Sequence, residues 1–373
     1  MTFKRTDTSL ISCWWWTVDR WTLGTILGLA LIGILLTMAA SPAVAERLGL
    51  DAFYFARRQA AYVPAALLVL LATSLLSPRG VCRLAFLAFA AALLATIATL
   101  FLGDEVKGAT RWLRIFGVSV QPSEFLKPAF VIVSAWFVAS GRIREDISGF
   151  AVAALLLVGV AGVLLLQPDV GTTVLIAGAW CLQIFLAGCP LVLVGLLGLL
   201  AVGGGVASVF FFPHVRERWD NFVDPSKGDG YQVDRALEAF RSGGLIGRGP
   251  GEGRVKEVLP DAHADFIFAV AGEEFGVIAC MILVGLFAFI VLQGFTRALK
   301  DNDLFVMLAA SGLLALFGAQ ALMNMASTLH LIPPKGITLP FISYGGSATI
   351  ALAWNVGLVL ALTRERFGGG RTG

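Results

Sequence analysis

Polar positions interrupt this chain only at long intervals. Apolar runs cover about residues 21–38, 60–76, 83–102, 125–140, 150–166, 170–187, 190–212, 275–294, 304–323 and 347–363. Each is close to the ~20 residues that a helix needs to cross a bilayer. The pattern predicts an all-α polytopic membrane protein of about ten transmembrane helices. No internal repeat or separate soluble domain stands out, so residues 1–373 read as one membrane domain.

Charge placement gives the expected orientation. Lys4, Arg5 and Arg20 precede the first span; Arg79 and Arg83 follow the second; Arg142 and Arg144 follow the fourth. Arg297 and Lys300 follow the eighth span, and Arg364 and Arg366 the tenth. Basic residues thus recur at every second turn, which predicts that those turns and both termini face the cytoplasm of a bacterial inner membrane. Arg47, Arg57 and Arg58 point the other way, accompanied by Glu46 and Asp51. Two polar segments are then extracytoplasmic: about 103–124, and a cap loop over 213–264 between spans seven and eight. Loops that long are functional or disordered. Trp219, Phe222, Tyr231 and Phe240 favour an ordered cap.

Composition agrees with a lipid solvent. The chain is 57% hydrophobic and 14% charged, against about 25% charged in soluble domains. A net charge of +3 is too small to suggest a nucleic-acid partner. Lys4-Arg5, the first apolar run and Ala43-Val44-Ala45 together resemble a secretory signal, but the run exceeds a signal core of about 7–15 residues, so a retained first helix is expected. Five scattered cysteines form no Cys-x-x-Cys pair and read as packing residues. His214, His263 and His330 are not spaced as metal ligands.

Six polar features could carry chemistry. Asp265, beside Phe266, Ile267 and Phe268 where the cap meets the eighth span, is either a partly desolvated proton acceptor or a helix cap. In Gln121-Pro-Ser-Glu-Phe-Leu-Lys127, Pro122 suits a first helical turn, and Glu124 and Lys127 share a face, as a structural pair or a cavity pair. Arg111 and Arg114 flank Trp112 and Leu113, as phosphate ligands or interface anchors. Asp169, in Gln167-Pro-Asp-Val-Gly171, either orients a substrate or caps the sixth helix. The glycine-rich stretch 243–253 lacks the context of a nucleotide loop and reads as a flexible hinge, with Arg254 and Lys256 beside it. Lys335 opens a loop in which Ser343, Tyr344 and Ser347 either donate to a ligand or satisfy the loop's own backbone.

Taken in order, Val120-Gln-Pro-Ser-Glu-Phe-Leu-Lys127, Gln167-Pro-Asp-Val-Gly171, Gly230-Tyr-Gln232, His263-Ala-Asp-Phe-Ile-Phe-Ala269, Gly272-Glu-Glu274 and Pro340-Phe-Ile-Ser-Tyr-Gly-Gly-Ser347 resemble the SEDS proteins (shape, elongation, division and sporulation). Lys335-Gly-Ile-Thr-Leu-Pro340 and Trp14-Trp-Trp-Thr-Val-Asp-Arg20 look more like the division branch than the elongation branch. The resemblance implies an inverting peptidoglycan glycosyltransferase that polymerises lipid II at the division septum. It implies Asp265 as the essential acid. An inverting transfer needs a base and cations near the departing diphosphate. Arg111, Lys127, Arg216, Arg218 and Lys256 are the expected cations, with Gln121, Glu124, Asp169, His263, Lys335, Ser343 and Ser347 as further substrate contacts.

No organic cofactor is expected; a divalent cation, Mg or Mn, could accompany the diphosphate. The implied partners are lipid II, undecaprenyl-diphosphate-linked glycan, membrane lipid, a class B penicillin-binding protein and other division proteins. Ala264, Val255 and Ala348 depart from the family's usual Thr, Gln and Ser. Two other functions fit a polytopic chain with polar motifs: a lipid II flippase and a non-catalytic scaffold for the transpeptidase.

Overall fold

Helix starts are written into the chain as capping residues. Asp19 accepts from the N–H groups of Trp21 and Thr22 and opens α2 (Arg20–Arg47). Ser77 with Pro78 opens α4 (Pro78–Leu102), and Asp303 opens the helix that begins at Leu304. Such side chains satisfy N–H groups that a helix terminus leaves without partners.

The structure, a computed structural model, describes residues 9–106, 109–115, 117–144, 148–190, 230–333 and 336–365, with isolated positions between 192 and 220. A short helix α1 (Leu10–Thr17) precedes α2. α3 (Tyr54–Ser74) and α4 follow, then a three-stranded antiparallel sheet. Its strands are β1 (Asp104–Val106), β2 (Ala109–Ile115) and β3 (Val118–Val120). Next come α5 (Pro122–Arg144), α6 (Ser148–Leu166) and α7 (Val170–Leu186). The cap supplies α8 (Gly230–Gly243) and α9 (Val255–Val258). α10 (Ile267–Ala298), α11 (Leu304–Thr328) and α12 (Gly346–Leu362) complete the chain.

Seven of these helices are long and apolar enough to cross a membrane, and α7 and α12 are shorter apolar helices. Nine of the ten expected spans therefore coincide with described helices; the seventh, 190–212, has only isolated positions among the described residues. The all-α expectation needs one addition. Most of the 103–124 segment forms a small sheet, because β2 pairs its backbone with both neighbours, Leu113 opposite Val120 and Val106 opposite Ala109, with a bulge in the β1–β2 pairing at Asp104–Glu105.

Two apolar cores run through the bundle. One gathers α1–α3, the cap, α10 and the 339–342 loop; the other gathers α4–α7; α11 and α12 contribute to both. Close helix contact requires glycine at Gly357, where a Cβ would stand 2.7 Å from the Leu70 carbonyl of α3.

α10 is longer than the expected span 275–294 because it begins eight residues earlier and breaks at Gly276, whose φ of 76° takes the backbone out of the helix. The break interrupts the ladder of helical hydrogen bonds, and the glycine-rich loop after α8 replaces them. Val277 and Ile278 N–H donate to the carbonyls of Gly244 and Leu245, and Arg248 and Gly249 N–H donate to those of Glu273 and Glu274. Residues 243–249 are thus not a flexible hinge. They are a splint whose glycines permit backbone-to-backbone approach, since broken helices at a membrane need such partners.

Candidate functional site

The polar motifs converge at one end of the bundle, where the sheet, the cap and the 336–347 loop meet. Asp265 sits two residues before α10 and is half-buried. Its turn is held through the main chain by side chains from three other elements. Asn324 Nδ2 of α11 donates to the Asp265 carbonyl at 3.0 Å and to that of Ile337 at 2.7 Å. Ser343 Oγ donates to the Ala264 carbonyl at 2.6 Å. Arg47, in the last turn of α2, donates to the Leu259 carbonyl at 2.8 Å. Tyr344 adds its backbone N–H, which donates to the His263 carbonyl at 2.9 Å. The carboxylate faces the start of the last loop, where a Cβ at Gly336 would lie 3.5 Å from Asp265 Oδ2.

His263 is buried in an aromatic stack. Its ring lies 4.1 Å from Phe55 and 5.3 Å from Tyr344. Burial, reinforced by Tyr62 and opposed by Arg58, pushes the Tyr344 phenol up to about 12. Phe341 holds φ at 61°, a left-handed value that a bulky residue adopts only when its surroundings impose it. It is buried, and its carbonyl abuts Gly33 of α2.

α11 joins this turn to the Gln121–Lys127 motif. Lys127 Nζ bonds Glu124 at 3.0 Å and Gln320 Oε1 at 2.8 Å, all three buried. Gln320 in turn donates to Thr338. Gln320 and Asn324 are four apart and share a face of α11, so one helix face spans from the Glu124–Lys127 pair to Asp265. Neither residue was singled out in the sequence, because an Asn or Gln inside an apolar run carries no motif; its position in a membrane helix is the signal that could have found it. Gln121 N–H reaches Ser347 Oγ at 3.4 Å, bringing the starts of α5 and α12 together.

Several expected substrate contacts have other partners. Arg111 donates to the carbonyls of Gln167 and Pro168, with Asp169 at 3.7 Å. Asp169 caps α7 through Thr172 N–H. Lys256 is buried against Glu274 and the Gly251 carbonyl, so it forms an internal pair in place of a phosphate contact. Ser343 and Ser347 satisfy backbone groups. Arg216 is exposed, 3.8 Å from Asp220. Arg218 and Lys335 lie outside the described residues.

A cavity of about 630 Å³ opens between α2 and the cap. Met38, Pro42 and Phe53 give it an apolar wall, and Glu46, Arg47, Lys256 and Glu257 a charged rim. It passes beside Arg47, the side chain that anchors Leu259; Asp265 lies outside its lining.

Comparison with known proteins gives one answer by three routes. A peptidoglycan glycosyltransferase FtsW, named probable, from Caulobacter vibrioides is 47% identical over 367 residues, covering 98% of this chain and 94% of its own. The rod shape determining protein RodA of Thermus thermophilus superposes with a TM-score of 0.69 at 27% identity, covering 94% of this chain and 97% of RodA. A chain from a peptidoglycan synthase complex, described as coordinating polymerization and crosslinking, gives 0.75 at 27% identity, covering 93% and 97%. Residues 20–367 match the cell cycle proteins grouped as FtsW, RodA and SpoVE, and the chain, a multi-pass membrane protein, belongs to that family.

Proposed function

We propose that this chain polymerises lipid II into glycan strands on the outer face of the inner membrane at the division septum, with Asp265 as general base. It is a peptidoglycan glycosyltransferase of the family just named. The 4-hydroxyl of the acceptor's GlcNAc attacks the anomeric carbon of the strand's terminal MurNAc. The hydroxyl proton passes to the Asp265 carboxylate, the bond to undecaprenyl diphosphate breaks, and the anomeric centre inverts. A base within reach of the proton as the new bond forms contributes about 10²–10⁴ in rate.

The observation that carries this reading is the mounting of Asp265. Its main chain is fixed by groups from α2, α11 and the last loop, and its side chain points at the Gly336 end of that loop. Preorganisation of that kind is what a base needs and what a simple helix cap does not.

Cations near the departing diphosphate stabilise developing charge. Lys335 precedes Gly336 in the chain and is the preferred phosphate contact, with Arg216 and Arg218 of the cap; Lys127, buried against Glu124 and Gln320, supports the same network. Among the described residues no three His, Cys, Asp or Glu converge as a metal site. A Mg or Mn ion would therefore be held jointly with the substrate's phosphates and supply charge neutralisation there. The cavity between α2 and the cap, apolar on one side and charged at its rim, suits part of the lipid carrier, away from the reacting sugar. A class B penicillin-binding protein crosslinks the product as partner. Both termini are cytoplasmic in this arrangement.

The test is polymer formation from purified lipid II. Asp265→Asn inserts and purifies normally and makes no glycan strands. Strands of normal length and rate from that variant overturn the assignment. Transbilayer movement of lipid II without polymerisation in proteoliposomes points to a flippase instead.

A further inference from the structure

Glu273 is fully buried in the first part of α10, before the break at Gly276. Its carboxylate accepts three backbone hydrogen bonds from consecutive residues of the cap. Oε1 takes the N–H groups of Arg254 and Val255 at 2.7 and 2.8 Å, and Oε2 takes that of Lys256 at 2.9 Å. These are the leading N–H groups of α9, which a helix start leaves without internal partners. Bonds from N–H to an ionised acceptor are roughly twice as strong as neutral ones. The approach is close: a Cβ at Gly253 would stand 2.9 Å from Oε2.

Chain topology gives this contact its consequence. Glu273 and Arg254 are 19 positions apart, and Asp265 lies between them on the segment they close. The carboxylate is therefore the clasp at the base of the turn that carries Asp265. The splint of residues 244–249 grips the same half-helix from the other side through the carbonyls of Glu273 and Glu274.

We propose that Glu273 is a positioning residue for glycosyl transfer, holding Asp265 in register with the reacting sugar by stapling residues 254–256 to the half-helix of α10. The proposal rests on Asp265 as base, and its test separates the two.

Glu273→Gln replaces one carboxylate oxygen with an N–H₂ that faces N–H donors, so at least one hydrogen bond becomes a repulsion. Full-length protein is reconstituted and assayed with lipid II. The expected result is a fall in kcat of about 10- to 100-fold, the effect of a displacement near 1 Å at a reacting group, with KM within about twofold. Hydrogen exchange at the amides of 254–256 speeds up, and Glu273→Asp, which keeps both acceptors on a shorter stem, recovers part of kcat. A merely structural role lowers the folded fraction without moving kcat per folded molecule or splitting it from KM.

If Glu273→Gln does not fold, Gly253→Ala makes the same test, pressing a methyl group on Oε2 while leaving the carboxylate in place; a smaller fall in kcat is expected. Wild-type kcat in a variant whose 254–256 amides have lost protection overturns the proposal. If Asp265→Asn is fully active, the base assignment fails on its own, while the exchange result still reports whether Glu273 is the clasp.

Discussion

Two aspartates, each just ahead of an apolar helix, have different settings. Asp169 follows Gln167-Pro168 at the α6–α7 turn; Asp265 follows His263-Ala264 at the entrance to α10. Asp169 is 4% exposed, caps α7, and has Arg111 beside it. Arg111 in turn holds the carbonyls on either side of the Gln167–Pro168 bond, and Gln167 ties the turn back to Thr96 of α4. Every strong polar group in that corner faces another part of the protein. At Asp265 the carbonyls of the turn are held and the carboxylate is directed at the last loop. Both corners are ordered, but the first buries its aspartate while the second leaves Asp265 only half-buried.

The sharpest way to break that contrast is to neutralise each aspartate in turn. Asp265→Asn is expected to lower polymerisation by about 10²–10⁴ with the thermal midpoint unchanged. Asp169→Ala is expected to behave in reverse, losing about 0.5–2 kcal/mol of stability with the cap while folded molecules polymerise at near-normal rate. Rate per folded molecule and midpoint, measured on the same preparations, decide it. A loss of rate at Asp169 with full stability makes that corner part of the site.

The Glu124–Lys127 pair comes next. Lys127→Met leaves Glu124 charged and buried, which costs about 3–5 kcal/mol for a broken buried pair. The double variant Glu124→Gln with Lys127→Met removes both charges and is expected to regain most of that stability, read from the unfolding midpoint. Its activity then reports on Lys127 alone. Lost turnover in a stable double variant places Lys127 at the phosphate; normal turnover makes the pair a support for Gln320.

How much of this was legible in the sequence depends on the reach of each rule. Glu124 and Lys127 were readable as a pair because residues three apart on a helix share a face. Their third member was not, since Gln320 lies 193 positions from Lys127 and no spacing rule extends so far. Asn324, 59 positions from Asp265, was hidden for the same reason. Hydropathy located nine of the described helices but not the break at Gly276, because a glycine in an apolar run looks the same whether the helix continues or stops. The glycine-rich stretch reads as a hinge in sequence, yet its residues 244–249 form a splint. Glycine density signals permissive backbone, and permissive backbone serves close packing as well as motion; only the four hydrogen bonds to α10 distinguish them.

Arg111→Lys probes the brace with a smaller expected effect. A lysine keeps the charge but cannot span the two carbonyls that the guanidinium fork bridges. Losing one such bond costs about 1–3 kcal/mol, seen as a lower midpoint with turnover of the folded fraction unchanged. A normal midpoint with reduced turnover reassigns Arg111 to the diphosphate.

The smallest effect is a pH slope at the other corner. The Tyr344 phenol, ordinarily near 10, is pushed up to about 12, first by burial. Below pH 10 the phenol is protonated in both folded and unfolded chains and contributes no slope. Between about 10 and about 12 the unfolded chain ionises while the folded one does not, so the unfolded state gains and stability falls as pH rises. Tyr344→Phe removes the titrating group. The midpoint of the Phe variant is therefore expected to decline less than that of the wild-type protein across this window, with both alike near neutral pH apart from the lost contact to Arg58. Equal declines show that the phenol is open to water, and with it the stack of Phe55, His263 and Tyr344 that backs the Asp265 turn. An open stack leaves the mounting of the proposed base to Asn324, Ser343 and Arg47 alone.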